Sequence, residues 1–412
     1  MLQQQKEIVK ATVPVLQQHG ETITTVFYRT LFDENPSLFN IFNPANQRNG
    51  GQARSLAASI LTYAAHIDSL SQLGGMVNRI AHKHASLEVQ PEHYSIVGDH
   101  LLRAIRTVLG EAATPEIIDA WAAAYGQLAD IMIGVEQKLY SEGSSQPGGW
   151  SGYAPLKIER KVTESETITS FYLTSPDGSP LPPFLPGQYL GVKVQVPDSP
   201  FTQIRQYSLS QVPNGRSYRI SVKREAAPTH VVAAEDGLIS SHLHDSIHEG
   251  DTIFAHMPQG DFVLRDNGKP VVLLSGGVGI TPAICMFEQL ARSSSPHPVL
   301  FVHAAQQRSH HAFREETRAF TAAHPHARTL IYYERIASTD VQGVDYDLAG
   351  RITLGSLRAH LPEQPADFYY CGPAGFMAAV EKILDALNVP QSSRYSEAFA
   401  PDPSFAVELA NS

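Results

Sequence analysis

Three groups of residues in this chain could do chemistry. The first is a histidine with company. His84 falls on the apolar stripe Val77, Ile80, Ala81, His84 and Leu87 at helical spacing, which turns its imidazole toward a core. Downstream, Pro91 opens a new helix with Tyr94 in its first turn. A later stripe of Ile118, Ala122, Tyr125, Ala129 and Met132 runs in phase into Glu136. A carboxylate on a core stripe is costly unless it is paired. If the three converge, carboxylate and phenol would hold the ring N–H and make the opposite ring nitrogen a more electron-rich metal ligand. Plainer readings stay open: a core histidine bonded to a backbone carbonyl, and a glutamate reaching water at a frayed helix end. The second group is Ser275-Gly276-Gly277-Val278-Gly279-Ile280-Thr281-Pro282, which follows an apolar strand and opens a helix, the setting of a dinucleotide loop. Pro282 stands where the third glycine of the dinucleotide fingerprint would be, which disfavours a plain Rossmann dehydrogenase. A related turn is Cys371-Gly372-Pro373-Ala374-Gly375-Phe376-Met377, where Cys371 is either a nucleophile or a packing residue. The third group, Arg205-Gln206-Tyr207-Ser208-Leu209, alternates faces along a strand and alone says little.

These groups need elements to hold them, and the texture of the chain changes twice. A length of 412 residues suggests two to three domains at about 150 residues each. Residues 1–140 are rich in Ala and Leu, with stripes such as Ile23, Phe27, Leu31 and Leu56, Ile60, Tyr63, and with Pro36, Pro44, Pro91 and Pro115 at helix boundaries. That is an all-α domain. Residues 141–150 contain Ser144-Ser145-Gln146-Pro147-Gly148-Gly149 and are expected to be a linker. Residues 151–266 carry short β-branched and aromatic runs at 167–174, 188–196, 205–209 and 217–223, with turns at Asp177-Gly178 and Asn214-Gly215, the pattern of a small antiparallel barrel. Residues 267–412 alternate strand and helix, with strands at 271–274, 299–303 and 366–371, which predicts an α/β domain on a parallel sheet.

Composition narrows the function. Lys and Arg total 31 against 41 Asp and Glu, and a net charge of −10 argues against nucleic acid or an anionic membrane as partner. Cys285 and Cys371 are the only cysteines, as befits a reducing compartment. The first sixteen residues lack a signal-peptide core, and the run 270–287 is broken by Ser, Gly and Pro, so a cytoplasmic protein with no stable membrane insertion is expected.

Residues 1–140 resemble a globin, specifically the N-terminal domain of bacterial and yeast flavohemoglobins. The resemblance rests on Tyr28, Ile41-Phe42-Asn43, Asn46-Gln47-Arg48-Asn49-Gly50, Gln52, Leu56, Lys83-His84 and Ile96-Val97-Gly98. It implies heme b with His84 as the proximal iron ligand, Tyr94 and Glu136 as its relay partners, Phe42 against the porphyrin, and Tyr28, Gln52 and Leu56 around the distal pocket. Pro186-Gly187-Gln188-Tyr189, Arg205 to Leu209 and Gly237-Leu238-Ile239-Ser240-Ser241 resemble a ferredoxin-reductase type of flavin domain, with a Greek-key barrel. By that likeness Tyr189, Arg205, Gln206, Tyr207 and Ser208 contact FAD. Gly237, Ile239 and Ser240 would offer N–H groups to its phosphate at a helix start; residues 226–236 follow no family pattern. The loops Gly276, Gly277, Val278, Gly279, Ile280, Thr281 and Cys371, Gly372, Pro373 match the NAD(P)H half of the same family, in which Cys371 packs beside the nicotinamide. At the C-terminus stands Glu397-Ala398-Phe399-Ala400-Pro401. The resemblance places Ala398, Phe399, Ala400 and Pro401 at FAD, with Phe399 covering one flavin face, and makes Glu397 and Lys83 redox-tuning residues. Ala400 replaces the family's glycine.

The resemblance implies a nitric oxide dioxygenase, in which NAD(P)H reduces FAD, FAD reduces heme iron, and O2 held there reacts with NO to give nitrate. Its partners are then the small molecules O2, NO and NAD(P)H, with a lipid as a further candidate for the distal pocket, and a monomer is expected. The rivals are a heme-assisted alkyl hydroperoxide or ferric reductase, and a non-catalytic oxygen or lipid carrier that would have no use for the flavin and nicotinamide motifs. On the nucleotide, family habit favours NADH. Yet His303 to Arg308 offers no acidic residue after the second strand, and Arg308 could face a 2′-phosphate.

Overall fold

The computed structural model describes residues 1–43, 50–227, 236–293 and 295–399. Its first part is helical: α1 (Gln3–Ala11), α2 (Val13–Glu34), α3 (Gly51–Ala65), α4 (Gly74–Ser86), α5 (Pro91–Leu109) and α6 (Pro115–Ser145). Pro91 and Pro115 sit in the first turns of α5 and α6, where a missing N–H costs nothing. Thr114 caps α6 by accepting from the N–H of Ile117. Ile23, Phe27, Leu31 and Tyr63 are buried, as their spacing predicts. On α6 the inner face is offset from the expected stripe. Ala122 is exposed, while Trp121 and Ala124 are buried beside Ile118, and the Trp121 indole donates to Thr12 Oγ1 at 3.2 Å.

Helix α6 also runs on to Ser145, so the first half of the expected linker is helix. The cause is tertiary. Gly143 packs so near Met257 of the next module that an added Cβ would already be in van der Waals contact with it, and this packing holds the last turn against its weak propensity. Only from Gln146 does the backbone turn extended.

The second module comprises β1 (Tyr153–Thr163), β2 (Ile168–Thr174), β3 (Tyr189–Val194), β4 (Gln203–Ser208), β5 (Ser217–Lys223), α7 (Leu238–Ser246) and β6 (Thr252–His256). The strands form one antiparallel sheet in the order β4-β3-β6-β1-β2-β5. Just past β4, Leu209 bridges Ile220 of β5, which brings the two edges together as a barrel does. Strands β1 and β6 were not expected from sequence. In β1 only Leu156 and Ile158 are buried among Lys157, Glu159, Arg160 and Lys161, so its apolar signal is two residues long.

The third module contains β7 (Val271–Gly276), α8 (Ile280–Arg292), β8 (Val299–Ala305), α9 (Arg314–Ala323), β9 (Ala327–Tyr333), β10 (Leu348–Ala349), α10 (Leu354–Arg358), β11 (Asp367–Cys371), α11 (Ala374–Ala386) and β12 (Arg394–Glu397). All six strands are parallel, in the order β10-β9-β8-β7-β11-β12. Helices cover both faces, and β7 is buried along its whole length. The winding direction reverses at β7, so the crevice beyond the C-terminal ends of β7 and β11 is the place where such sheets bind ligands.

The second and third modules are pinned by a buried charge. Arg219 of β5 is 1% exposed and reaches Glu316 of α9 with Nη1–Oε1 at 2.5 Å and Nη2–Oε2 at 2.9 Å. Glu288 of α8, also buried, accepts from the N–H of Val212 at 2.9 Å. No helix among the described residues is long and apolar enough to cross a membrane.

The helical module has one crossing too tight for a side chain. A Cβ at Gly98 of α5 would lie 2.6 Å from the Tyr125 ring, whose hydroxyl is tied to the Tyr94 carbonyl at 2.6 Å and so resists swinging away. Gly98→Ala should therefore lose about 1–2 kcal/mol of stability, overpacking outweighing the gain in helix propensity. Urea unfolding followed by far-UV circular dichroism measures this, and an unchanged midpoint would show that the tyrosine yields.

Candidate functional site

His84, Tyr94 and Glu136 converge. Glu136 is 2% exposed, so the frayed-end reading fails. Its Oε1 lies 2.8 Å from His84 Nδ1 and accepts from the Tyr94 hydroxyl at 2.5 Å, and the same hydroxyl lies 3.0 Å from His84 Nδ1. An ionised carboxylate only accepts, so His84 Nδ1 must carry the proton. Its Nε2, with no protein partner among the described residues, then holds the lone pair that a metal needs. Burial and the adjacent Glu136 charge push the Tyr94 phenol well above its usual range, so it stays a donor. This donor set fits heme iron: a neutral imidazole with a fixed tautomer and a carboxylate behind it.

Tyr28 of α2 is buried, its hydroxyl hydrogen-bonded to the side chain of Gln52 on α3, and desolvation drives its pKa upward. Phe42 packs edge-on to Tyr28 at 6.0 Å and to Phe32 at 5.3 Å. Leu56 joins the same apolar cluster, half-buried. The segment Asn46 to Asn49 lies outside the described residues.

The polar face of α4 is the surface that meets the barrel. Arg79 pairs with Asp261 at 3.7 Å, and His82 Nδ1 lies 2.8 Å from Gln259 Oε1. The Lys83 ammonium donates to Gln206 Oε1, and Gln206 Nε2 donates to Ser86 Oγ at 3.1 Å. The Tyr153 hydroxyl donates to the Ser86 carbonyl at 2.5 Å. On β3, Gly191 comes so near that a Cβ there would lie 2.4 Å from that carbonyl. Gln206, expected at FAD, thus stands on this seam. So does Arg205, whose guanidinium donates to Asn43 Oδ1 of the helical module at 2.9 Å and to the Ile204 carbonyl at 2.7 Å. Sequence reasoning missed Ser86, Gly191, Gln259 and Asp261. The available signal was the polar spacing of Arg79, His82, Lys83 and Ser86 along one helix face.

Tyr189 and Ser208 are paired across β3 and β4 and buried, and Tyr207 is half-buried one position away. Gly237 corrects one expectation: its N–H is spent on the Glu225 carbonyl at 2.7 Å, not free for phosphate. The Ser240 hydroxyl is also engaged, accepting from the Glu225 N–H at 3.1 Å. Of the expected trio, the backbone N–H groups of Ile239 and Ser240 remain, at the first turn of α7.

The two glycine loops meet at the switch point. A Cβ at Gly279 would lie 2.1 Å from the Cys371 carbonyl, and Cβ atoms at Gly276 and Gly372 would strike the Phe376 ring at 2.8 and 2.6 Å. Gly277 has φ +53° with open space above it, directly before α8 (Ile280 and Thr281), which fits close approach by a phosphate. Val278 accepts from the Thr281 hydroxyl at 3.0 Å. Cys371 is buried, and burial raises its thiol pKa well above the usual value, which suits packing and not nucleophilic attack. Pro373 is exposed at the crevice. Glu397 ends β12, followed by Ala398 and a half-exposed Phe399, whereas Ala400 and Pro401 lie outside the described residues. Desolvation lifts the Glu397 carboxyl to about 7 and lowers the Lys83 ammonium to about 8, and each charge partly offsets the shift of the other.

Residues 25–132 match the globin family, 154–264 the oxidoreductase FAD-binding domain and 273–382 the oxidoreductase NAD-binding domain. The chain is 56% identical to the flavohemoprotein of Deinococcus radiodurans over 403 residues, 98% of either chain. The chain belongs to the flavohemoprotein family. A flavohemoprotein of Bordetella pertussis is 48% identical over 96% of this chain and 97% of its own. The crystal structure of a flavohemoglobin from Malassezia yamatoensis, with bound FAD and heme, superposes with a TM-score of 0.82 at 26% identity, covering 97% of this chain and 99% of that one. The FAD/NAD-binding domain of a nitric oxide dioxygenase from Vibrio cholerae matches 59% of this chain and 97% of its own, at a TM-score of 0.52 and 37% identity. The cofactor set of a flavohemoprotein follows from its domains: heme in the globin, FAD in the barrel, a nicotinamide nucleotide on the parallel sheet.

Glu136→Leu should remove the shared acceptor of two half-buried donors, the His84 N–H and the Tyr94 hydroxyl, and leave only their 3.0 Å contact with each other. The flavohemoprotein fold should lose about 1–3 kcal/mol and keep its heme. A lowered iron–histidine stretching frequency in the ferrous resonance Raman spectrum reports the lost carboxylate, and an unchanged frequency would mean that Glu136 does not act on the ring.

Proposed function

We propose that this chain is a nitric oxide dioxygenase, an oxidoreductase that uses a nicotinamide nucleotide to turn NO and O2 into nitrate. The observation that carries the reading is the single helix α4, which presents His84 inward to Glu136 and Tyr94 and Lys83 and Ser86 outward to the barrel. An oxygen store needs no such joint, and a flavin reductase needs no such histidine. The likeness to the reductase half of a nitric oxide dioxygenase supports the same reading.

When bound, FAD supplies the conversion of a hydride into single electrons, and heme supplies a reducible iron that takes O2. Joining NO to O2 as nitrate takes up one electron, so one hydride serves two turnovers. His84 would hold the iron through Nε2, with Glu136 accepting the Nδ1 proton and Tyr94 fixing the carboxylate. Tyr28, positioned by Gln52, would offer its hydroxyl as a hydrogen-bond donor to a bound substrate, more strongly where that substrate carries charge. Leu56 and Phe42 would keep water from that side. Tyr189, Arg205, Tyr207, Ser208 and the first turn of α7 would hold the flavin, and Phe399 would shield its open face. Gly276 to Thr281 and Cys371 to Pro373 would seat the pyrophosphate and nicotinamide. Lys83 and Glu397, neighbours in charge at the seam, would set the potential between flavin and heme.

Purified holoprotein given NADH or NADPH, O2 and NO should form nitrate in step with NO loss, read by an NO electrode and ion chromatography. NADH oxidation without heme reduction or nitrate would leave a flavin reductase joined to a passive globin. Gly191→Ala provides the internal control. Its added carbon should push β3 off α4 and slow heme reduction by at least about tenfold, the kind of penalty that misplacement near 1 Å brings. Ferricyanide reduction, which needs only the flavin, should be unchanged.

A further inference from the structure

A second polar crevice lies where the nicotinamide module meets the turn between β1 and β2 of the barrel. It is a cleft of about 710 Å3 at the C-terminal ends of β8 and β9, within the roughly 300–1,000 Å3 of ordinary ligand clefts. Strand β8 pairs with β7 up to Gly276↔Ala304, so the ends of β8 and β9 lie one and two strand spacings, about 4.8 Å each, from the loop that would hold the pyrophosphate. That is the reach of the adenosine half of a dinucleotide. The residue after the second strand of such a sheet reads the 2′ position of its ribose: a carboxylate takes a hydroxyl, an arginine a phosphate.

Here that residue is Gln306, and Arg335 lies against it. The Arg335 N–H donates to the Gln306 carbonyl at 2.8 Å, and its Nη2 donates to Gln306 Oε1 at 3.2 Å. The other cations of the cleft are already matched. Arg308 pairs with Asp345 at 3.3 Å and Asp340 at 3.9 Å, and Arg314 also pairs with Asp345. Glu166, a carboxylate that lines the cleft, is occupied too: it accepts from the Ser309 hydroxyl at 2.5 Å and lies 3.6 Å from His310. Burial raises the pKa of Glu164, the remaining acid of the rim. Arg335 is therefore an exposed guanidinium whose one side-chain partner among the described residues is a neutral amide. Behind it His311 is buried, with Nδ1 on the Tyr333 hydroxyl at 2.9 Å.

We propose that this cleft takes the adenosine ribose and that Arg335, held by Gln306, accepts a 2′-phosphate, so that the protein binds NADPH at least as well as NADH. Arg308, which sequence alone would nominate, already has its charge matched by Asp345 and Asp340. The inference rests on the nucleotide reading of the parallel sheet given above.

The test is calorimetric binding to the oxidised holoprotein, with NADP+ and adenosine 2′,5′-bisphosphate against NAD+ and AMP. The bisphosphate should bind about tenfold tighter than AMP, the scale of one charge-assisted phosphate contact. Arg335→Gln should remove that difference and leave NAD+ and AMP affinities unchanged. Gln306→Glu should weaken NADP+ and bisphosphate binding by a similar factor and leave NAD+ and AMP no weaker. AMP binding as tightly as the bisphosphate to the unaltered protein, or Arg335→Gln weakening all four ligands equally, overturns the assignment of Arg335. Failure of NAD+ and AMP as well as the phosphorylated pair would overturn the nucleotide reading itself.

Discussion

The backbone of β3 at Gly191 runs so close to the Ser86 carbonyl that no side chain could stand between them, and the joint action of the modules depends on that approach. Ser86 is the last residue of α4, two positions past His84. On a helix that advances about 100° per residue, neighbours in sequence look in different directions. His84 therefore faces Glu136 while Lys83 faces Gln206, and a single turn of helix carries the candidate iron ligand and the contact to the flavin barrel. Any loosening of this turn would move both together, so their separation is set by covalent geometry instead of by a flexible linker. The continuation of α6 to Ser145 works in the same sense, because Gly143 against Met257 fixes where the first module hands over to the second.

Buried charges fix placement inside the helical module and between the second and third. Glu136 lies within the helical module, Arg219 with Glu316 between the second and third, and Glu288 at the Val212 N–H across the same boundary. An isolated buried charge would cost far more than any contact nearby returns, so each such group tolerates only the arrangement that supplies its partners. Their value here is specificity of placement. Apolar surfaces alone would let the reductase modules slide, whereas the two-pronged contact of Arg219 with Glu316 permits one register.

Much of this organisation was legible in the sequence, and the failures share a cause. Helical stripes such as Ile23, Phe27 and Leu31 report burial inside a module, and so does the in-phase position of Glu136. Glycine loops report themselves, because Gly276, Gly279 and Gly372 are needed where backbones and Phe376 crowd together. Docking between modules leaves no such mark. The polar face with Arg79, His82 and Lys83 does not announce its partner, because polar residues serve water and a polar interface equally well. Strand β1 hid for a related reason: its charged residues outnumber Leu156 and Ile158. The helix past Tyr140 was misjudged because local propensity at Ser144 and Ser145 yields to packing by a neighbour that the sequence window does not contain.

The same distinction separates the two arginines at the nucleotide end of the molecule. Arg308 and Arg335 are equivalent in composition, and Arg308 lies nearer in sequence to the second strand. Only the fold shows that Asp340 and Asp345 consume the charge of Arg308, while parallel pairing of β8 with β9 brings Arg335 beside Gln306. A guanidinium already paired to carboxylates must break those contacts to bind an anion, and a guanidinium resting on an amide gives up only a neutral hydrogen bond. The availability of a cation, more than its presence, decides which one can read a phosphate, and availability is a property of the tertiary structure.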